Sequence, residues 1–235
     1  MWQYPERDEE GQLLREATEK GVVNVARYYH HETVLVGGQE DDICSNVRKG
    51  LDIAKATNYK PVQGSSKKGQ SNSRKRSSST KALLQPNKRL CSSSSITRPI
   101  MVNRVHLRVT TSDYGKTLCK ASSRAAVLSA LEGAISGYES LSTQAGILHR
   151  DISIGNILMN EEDNNPSWRS FLIDLDLAIK ERQQGPSGAR GKTGTRAFMA
   201  IGVLLGERHS FMHEPADLDL ESFFWVLFWI PMRTL

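Results

Sequence analysis

Ile147-Leu148-His149-Arg150-Asp151-Ile152-Ser153-Ile154-Gly155-Asn156-Ile157-Leu158-Met159 decides how the rest of the chain is read. Apolar residues flank a short polar loop, so two buried segments hold a histidine, an arginine, an aspartate and, five residues after the aspartate, an asparagine. Further on, Phe171-Leu172-Ile173-Asp174-Leu175-Asp176-Leu177-Ala178 puts an aspartate at the end of an apolar strand, 18 residues beyond Asn156. Between the two, EEDNNPSW at 161–168 has the residues of a hairpin turn. A structural loop capped by Asp151 and a turn capped by Asp174 would each explain one segment. Neither explains order, spacing and flanking hydrophobicity together.

Working outward, Ala125 to Leu141 carries the 3.6-residue apolar period of a buried helix that ends just before the loop. Before it, RVHLRV from Arg104 alternates like a strand and DYGK turns. From Glu9, EEGQLLREATEKG predicts a short helix, with acidic residues in its first turn, Leu13, Leu14 and Ala17 on one face, and Gly21 as its stop. The valine- and tyrosine-rich VVNVARYYHHETVLV predicts one or two strands around His30 and His31, which lack a partner at metal spacing and read as strand-edge residues. Downstream come a glycine-rich loop from Gly185 to Gly194, the segment Gly194-Thr195-Arg196-Ala197-Phe198-Met199-Ala200, and an apolar helix, DLESFFWVLFWI, opening at Asp219. The fold class is α+β.

Composition bounds the rest. With 38% hydrophobic residues in 235, a buried core is affordable. The net charge of +5 hides an asymmetry: Lys60 to Ile100 holds 10 of the 31 Lys and Arg and none of the 26 Asp and Glu. Outside that segment 21 basic side chains face 26 acidic ones, so the high pI does not indicate a nucleic-acid-binding fold, and no specific nucleic-acid ligand is expected. Residues 60–99, with serine runs at Ser77 to Ser79 and Ser92 to Ser95, read as a disordered insert. Its Arg74-Lys75-Arg76 cluster, with Lys67 and Lys68, fits a nuclear-import signal bound by an import receptor, a nonspecific anionic-surface patch, or a merely solvated, phosphorylatable loop. Cys44, Cys91 and Cys119 are odd in number and scattered, which suggests neither a disulfide framework nor a zinc site. No secretory leader pattern opens the chain, and the apolar run Phe223 to Ile230 is too short to span a bilayer. An intracellular protein, cytoplasmic or nuclear, without a membrane partner is expected.

Phosphoryl transfer from ATP needs a carboxylate within reach of the acceptor hydroxyl, and oxygen ligands that hold Mg2+ at fixed separation. H-R-D-x-x-x-x-N supplies both from one loop: Asp151 would accept the hydroxyl proton, Asn156 would bind the metal and His149 would brace the loop. ILHRDISIGNIL, FLIDLDLA, TGTRAFMA and DLESFFWVLFWI, in that order, resemble the fungal-type protein kinase domain, a lineage related to eukaryotic serine/threonine kinases. The match reaches back to WQYPERDEEG, covering nearly the whole chain apart from the serine-rich insert.

The resemblance implies a two-lobed kinase-like fold. Residues 1–59 would be a partial N-lobe, 60–99 the insert, and 100–235 the hinge and partial C-lobe. It implies ATP and Mg2+ as cofactors and an unidentified protein substrate. Asp174 becomes the second metal carboxylate, Arg150 the residue that commonly pairs with a phosphorylated activation loop, and Thr193 and Thr195 the candidate phosphosites, ahead of Ser187. Thr195 would also bond the catalytic carboxylate. Asp219 matches a buried aspartate that ties the central helix to the catalytic loop, and Glu10 the helix glutamate that pairs with the ATP-binding lysine. A helix-start dipole partner is the equal alternative for Glu10.

Four departures accompany the resemblance. Only nine residues precede Glu10 and none is a lysine, so the N-lobe is expected to lack its first strands, and the C-lobe to end after the central helix. Ser153 stands where serine/threonine kinases place a lysine, Asp176 replaces the glycine after the metal aspartate, and Gly202 replaces the glutamate of the A-P-E motif. The leading expectation is a fungal-type serine/threonine kinase. A noncatalytic pseudokinase serving as an interaction module is the alternative. A small-molecule phosphotransferase is a second one, opposed by Arg150 and the Gly-Thr segment.

Overall fold

The computed structural model describes residues 1–49, 51, 103–181, 194–205 and 215–230; the serine-rich insert, Ser187 and Thr193 lie outside them. In chain order, β1 (Trp2–Gln3), α1 (Glu10–Glu19), β2 (Tyr28–Thr33) and the hairpin β3 (Leu35–Val36) and β4 (Gln39–Glu40) come first, ahead of a π turn at Ile43–Val47. β5 (Val105–Thr111) is the middle of a three-stranded sheet, antiparallel to β1 through Trp2 opposite His106 and to β2 through Thr33 opposite Leu107. Residues 22 to 36 thus yield two strands, and the bulge between Tyr28 and His30 lets β2 twist against β5.

Helix α1 buries Leu13, Leu14 and Ala17 on one side, the stripe expected from their spacing. Glu9 at its N-cap makes no side-chain capping bond to the helix. Gln3 does that work from β1: its Oε1 accepts from the Glu10 amide at 3.3 Å and its Nε2 donates to Asp8 O at 2.9 Å. Gly21, at φ +72°, ends the helix.

The second half starts with β6 (Lys116–Thr117), then α2 (Arg124–Ser140), whose N-cap Ser123 accepts from the Ala126 amide at 3.1 Å. A π turn, Leu141–Ala145, carries α2 past its expected end, and left-handed Gly146 stops it before β7 (Ile147–Leu148). β8 (Ile157–Met159) pairs with both β6 and β9 (Ser170–Leu172), the latter through the expected hairpin, and β10 (Ile179–Lys180) returns to β7. α3 (Ile201–Leu205) and α4 (Pro215–Trp229) complete the elements. α4 starts four residues before the expected opening at Asp219. Proline fits the first turn because no intrahelical acceptor awaits its missing N–H.

One core runs through both halves: Leu13 and Leu14 of α1 share a cluster with Tyr138, Leu141, Ile147, Phe171, Leu172, Phe223 and Val226. Gly137 is required where α2 meets the loop after α1, since a Cβ there would collide with Asn24 O. Asp113, its side chain wholly buried, fastens three segments. It accepts from the Arg27 amide at 2.7 Å, from Arg27 Nη2 at 2.6 Å and from the Trp168 amide at 3.4 Å, while the Arg27 guanidinium lies over the Trp168 ring. α4 buries Phe223 and Val226 but leaves Phe224 and Phe228 each 56% exposed, so its apolar run is only partly packed among the described residues. No helix among them is long and apolar enough to cross a membrane.

Candidate active site

The loop between β7 and β8 is fixed from three sides. His149 is fully buried; its Nε2–H donates to Ile173 O at 3.0 Å and its Nδ1 accepts from the Asp151 amide at 3.3 Å. Because a carbonyl can only accept and an amide can only donate, the ring carries its proton on Nε2. The histidine thus braces the loop against the strand that leads to Asp174. Arg150 is held in the left-handed region, φ +64°, with its amide donating to Asp219 Oδ2 at 2.9 Å. Asp219 lies in the second turn of α4, and burial raises its pKa, opposed by that amide bond and by the charge of Arg150. Burial likewise lowers the pKa of Arg150, with Asp219 opposing and Arg7 reinforcing the fall.

Asp151 divides its carboxylate. Oδ2 accepts from Asn156 Nδ2 at 3.2 Å, while Oδ1 accepts from both the amide and the hydroxyl of Thr195, at 2.7 and 2.9 Å. Asn156 Nδ2 also donates to Asp151 O at 2.9 Å, and the Asn156 amide closes the turn onto Ser153 O at 3.0 Å. Gly194 makes the Thr195 contact reachable: at φ +112° it passes close to the loop, and a Cβ there would sit 3.0 Å from Arg150 O.

Asp174 is brought to this loop through the backbone. Ile173 N–H donates to Asn156 O at 3.0 Å, so Asn156 and Asp174 flank neighbouring ends of the paired strands β8 and β9. The strand ends at Leu172, two residues earlier than its apolar run suggests. Asp174 then turns into the left-handed region at φ +67°, where its Oδ1 accepts from the Asp176 amide at 3.3 Å. Asn156 spends its amide nitrogen on Asp151, which leaves its carbonyl oxygen, with the Asp174 carboxylate, as hard oxygen donors. Two such donors suit Mg2+, which keeps waters and phosphate oxygens in its remaining positions. His30 and His31 take no part; His31 contacts Tyr28, Gln12 and Glu9 instead.

Glu10 opens α1 and faces the same turn, its Oε1 accepting from the Leu175 amide at 2.9 Å. Burial, then the charges of Asp174 and Asp176, push its pKa up to about 7 against the lowering effect of that bond and of the N-terminal ammonium. No lysine bonds it among the described residues. Asp176 is also raised, by burial first, with Arg7 opposing and Asp174 reinforcing, and its Oδ1 is buried without a partner. A cleft of about 360 Å³ lies here, lined by apolar Leu14, Ala26, Val109, Leu158 and Ile173 and by Glu10, Asp113 and Asp174.

The structure therefore gathers His149, Arg150, Asp151, Asn156, Thr195 and Asp219 directly and joins Asp174 and Glu10 through single backbone bonds. Three participants had no sequence signal: Gln3, which caps α1; Arg7, whose Nη1 donates to Asp176 O at 2.9 Å; and Glu221, whose Oε1 accepts from the Ile201 amide at 2.9 Å. The last supplies a tether to α4 beside Gly202, where the expected glutamate is missing. No curated protein matches the chain. The model of one family, described as fungal protein kinase, matches residues 1–231, nearly the whole length and a span that includes the His149 loop and the turn at Asp174: the chain belongs to the fungal protein kinase family.

Proposed function

We propose that the chain transfers the γ-phosphate of ATP to a serine or threonine hydroxyl of a protein, in a two-lobed fold whose smaller lobe is the sheet β1-β5-β2 with α1. The observation that carries this reading is the divided carboxylate of Asp151, held by Asn156 on one oxygen and by Thr195 on the other. Asp151 orients the acceptor hydroxyl and takes its proton. Thr195 fixes the Asp151 rotamer and borders the place where the acceptor must sit. Asn156 and Asp174 would hold Mg2+, which when bound neutralises phosphate charge and keeps the γ-phosphate in line. Asp219 and His149 keep the loop's backbone fixed. The cleft lined by Ala26, Val109, Leu158 and Ile173 takes the nucleotide base. Within this reading the protein acts inside the cell, in cytoplasm or nucleus, and Thr193 and Thr195 are its candidate phosphosites.

A second reading, a pseudokinase that binds partners without turnover, is favoured by one observation: Glu10 meets two carboxylates and a backbone amide, but no lysine among the described residues. The two readings separate when the protein is incubated with labelled ATP, Mg2+ and a generic protein acceptor. Label recovered as phosphoserine or phosphothreonine supports the kinase. ATP binding with no label transferred supports the second reading, and label on a small-molecule alcohol but not on protein overturns both.

A further inference from the structure

The turn that carries Asp174 is gripped from one side by the first residue of α1 and by the bend that precedes the helix. Glu10 Oε1 accepts the Leu175 N–H at 2.9 Å, and Arg7 Nη1 donates to the Asp176 carbonyl at 2.9 Å. An acceptor and a donor three residues apart in the chain thus hold the N–H and C=O of adjacent residues in the turn. Asp174, immediately before them, sits in the left-handed region at φ +67°, an uncommon conformation for a residue other than glycine. A turn of this kind needs outside contacts to persist.

Arg7 is itself fixed. Its guanidinium stands 5.6 Å from the Tyr4 ring centroid, and Arg104, 4.4 Å from the same centroid, donates from Nη2 to the Tyr4 hydroxyl at 2.6 Å. The Asp8 and Glu10 backbones, on either side of the helix start, are pinned by Gln3 of β1, whose neighbours pair with β5. The grip therefore rests on the sheet. It does not depend on an ion pair at Glu10.

We propose that Arg7 is a positioning residue of the phosphoryl-transfer site. Paired with Glu10, it forms a two-point clamp on the backbone of Leu175 and Asp176 that keeps Asp174 turned toward Asn156. The proposal rests on the reading of Asp174 as the metal carboxylate. It assigns Glu10 a backbone to hold, where the family resemblance gives it a lysine.

The test uses the whole chain with Arg7→Met and Arg7→Lys, and two readouts. Hydrogen exchange of the peptide covering residues 171–178, without nucleotide, reports the clamp alone. The affinity for Mg·ATP, compared with that for ATP in chelator, reports the metal carboxylate. Arg7→Met is expected to speed exchange in that peptide about tenfold, leave exchange in α2 unchanged, and weaken Mg·ATP binding more than metal-free ATP binding. Arg7→Lys, which retains a donor, restores part of both. Unchanged exchange in both variants overturns the clamp whatever the role of Asp174. Faster exchange with Mg·ATP affinity intact overturns the positioning role. The underlying reading fails separately, if Asp174→Asn binds Mg·ATP as the parent does.

Discussion

The loop around Asp151 and the corner around Glu10 and Asp174 lie side by side yet are built on opposite principles. In the loop the groups that hold it are paired: His149 spans two backbone groups, the Arg150 amide meets Asp219, and both Asp151 oxygens are engaged. At the corner three carboxylates, Glu10, Asp174 and Asp176, face one another. Burial and mutual repulsion raise Glu10 and Asp176, and Asp176 Oδ1 has no partner. The loop is arranged before any ligand arrives. The corner holds repelling carboxylates whose charge a divalent cation would relieve, which fits the metal-binding role proposed for Asp174.

Removing the loop's anchor is the strongest way to break this contrast. Asp219→Ala leaves the Arg150 amide buried without an acceptor and should cost about 3 kcal/mol, read as a fall in the urea midpoint, with Asp219→Asn costing less because an acceptor remains. At the corner the sign reverses. Glu10 has a folded-state pKa of about 7 against the ordinary 4.5, so the folded protein binds the extra proton between those values. Its stabilising contribution is complete below pH 4.5 and is lost as pH rises through 7. Glu10→Gln in metal-free buffer should flatten that slope and leave the protein more stable than its parent at pH 8, by up to about 2 kcal/mol. The smallest effect belongs to Asp176→Ala, which deletes an unpartnered buried oxygen and should raise stability at neutral pH by about 0.5–1 kcal/mol, measured by the same midpoint.

The same contrast separates what was legible in the sequence from what was not. The elements around the loop follow from local pattern: the period of α2, the alternation of β5 and the hairpin between β8 and β9 are each written in contiguous residues. So are the identities of His149, Asp151, Asn156 and Asp174. Contacts between distant residues left no such trace. Arg7 reaching Asp176, Gln3 capping α1, and Arg27 clasping buried Asp113 across 86 positions depend on how the elements pack, which no local period encodes. α4 opens at Pro215, ahead of the apolar run that marks it in the sequence, because proline is at home in a first helical turn. Glu10 opens the helix read from its local pattern, but the amide it holds belongs to a segment 165 positions away, which that pattern could not show.

In the proposed reading the Asp151 loop performs phosphoryl transfer and does not merely persist as a fold element. Transfer of label from ATP to a protein acceptor, measured for the parent and Asp151→Asn at ATP concentrations that saturate both, isolates it. The account predicts similar nucleotide binding and a loss of transfer of about a thousandfold in the variant. Equal transfer by the two proteins would contradict it.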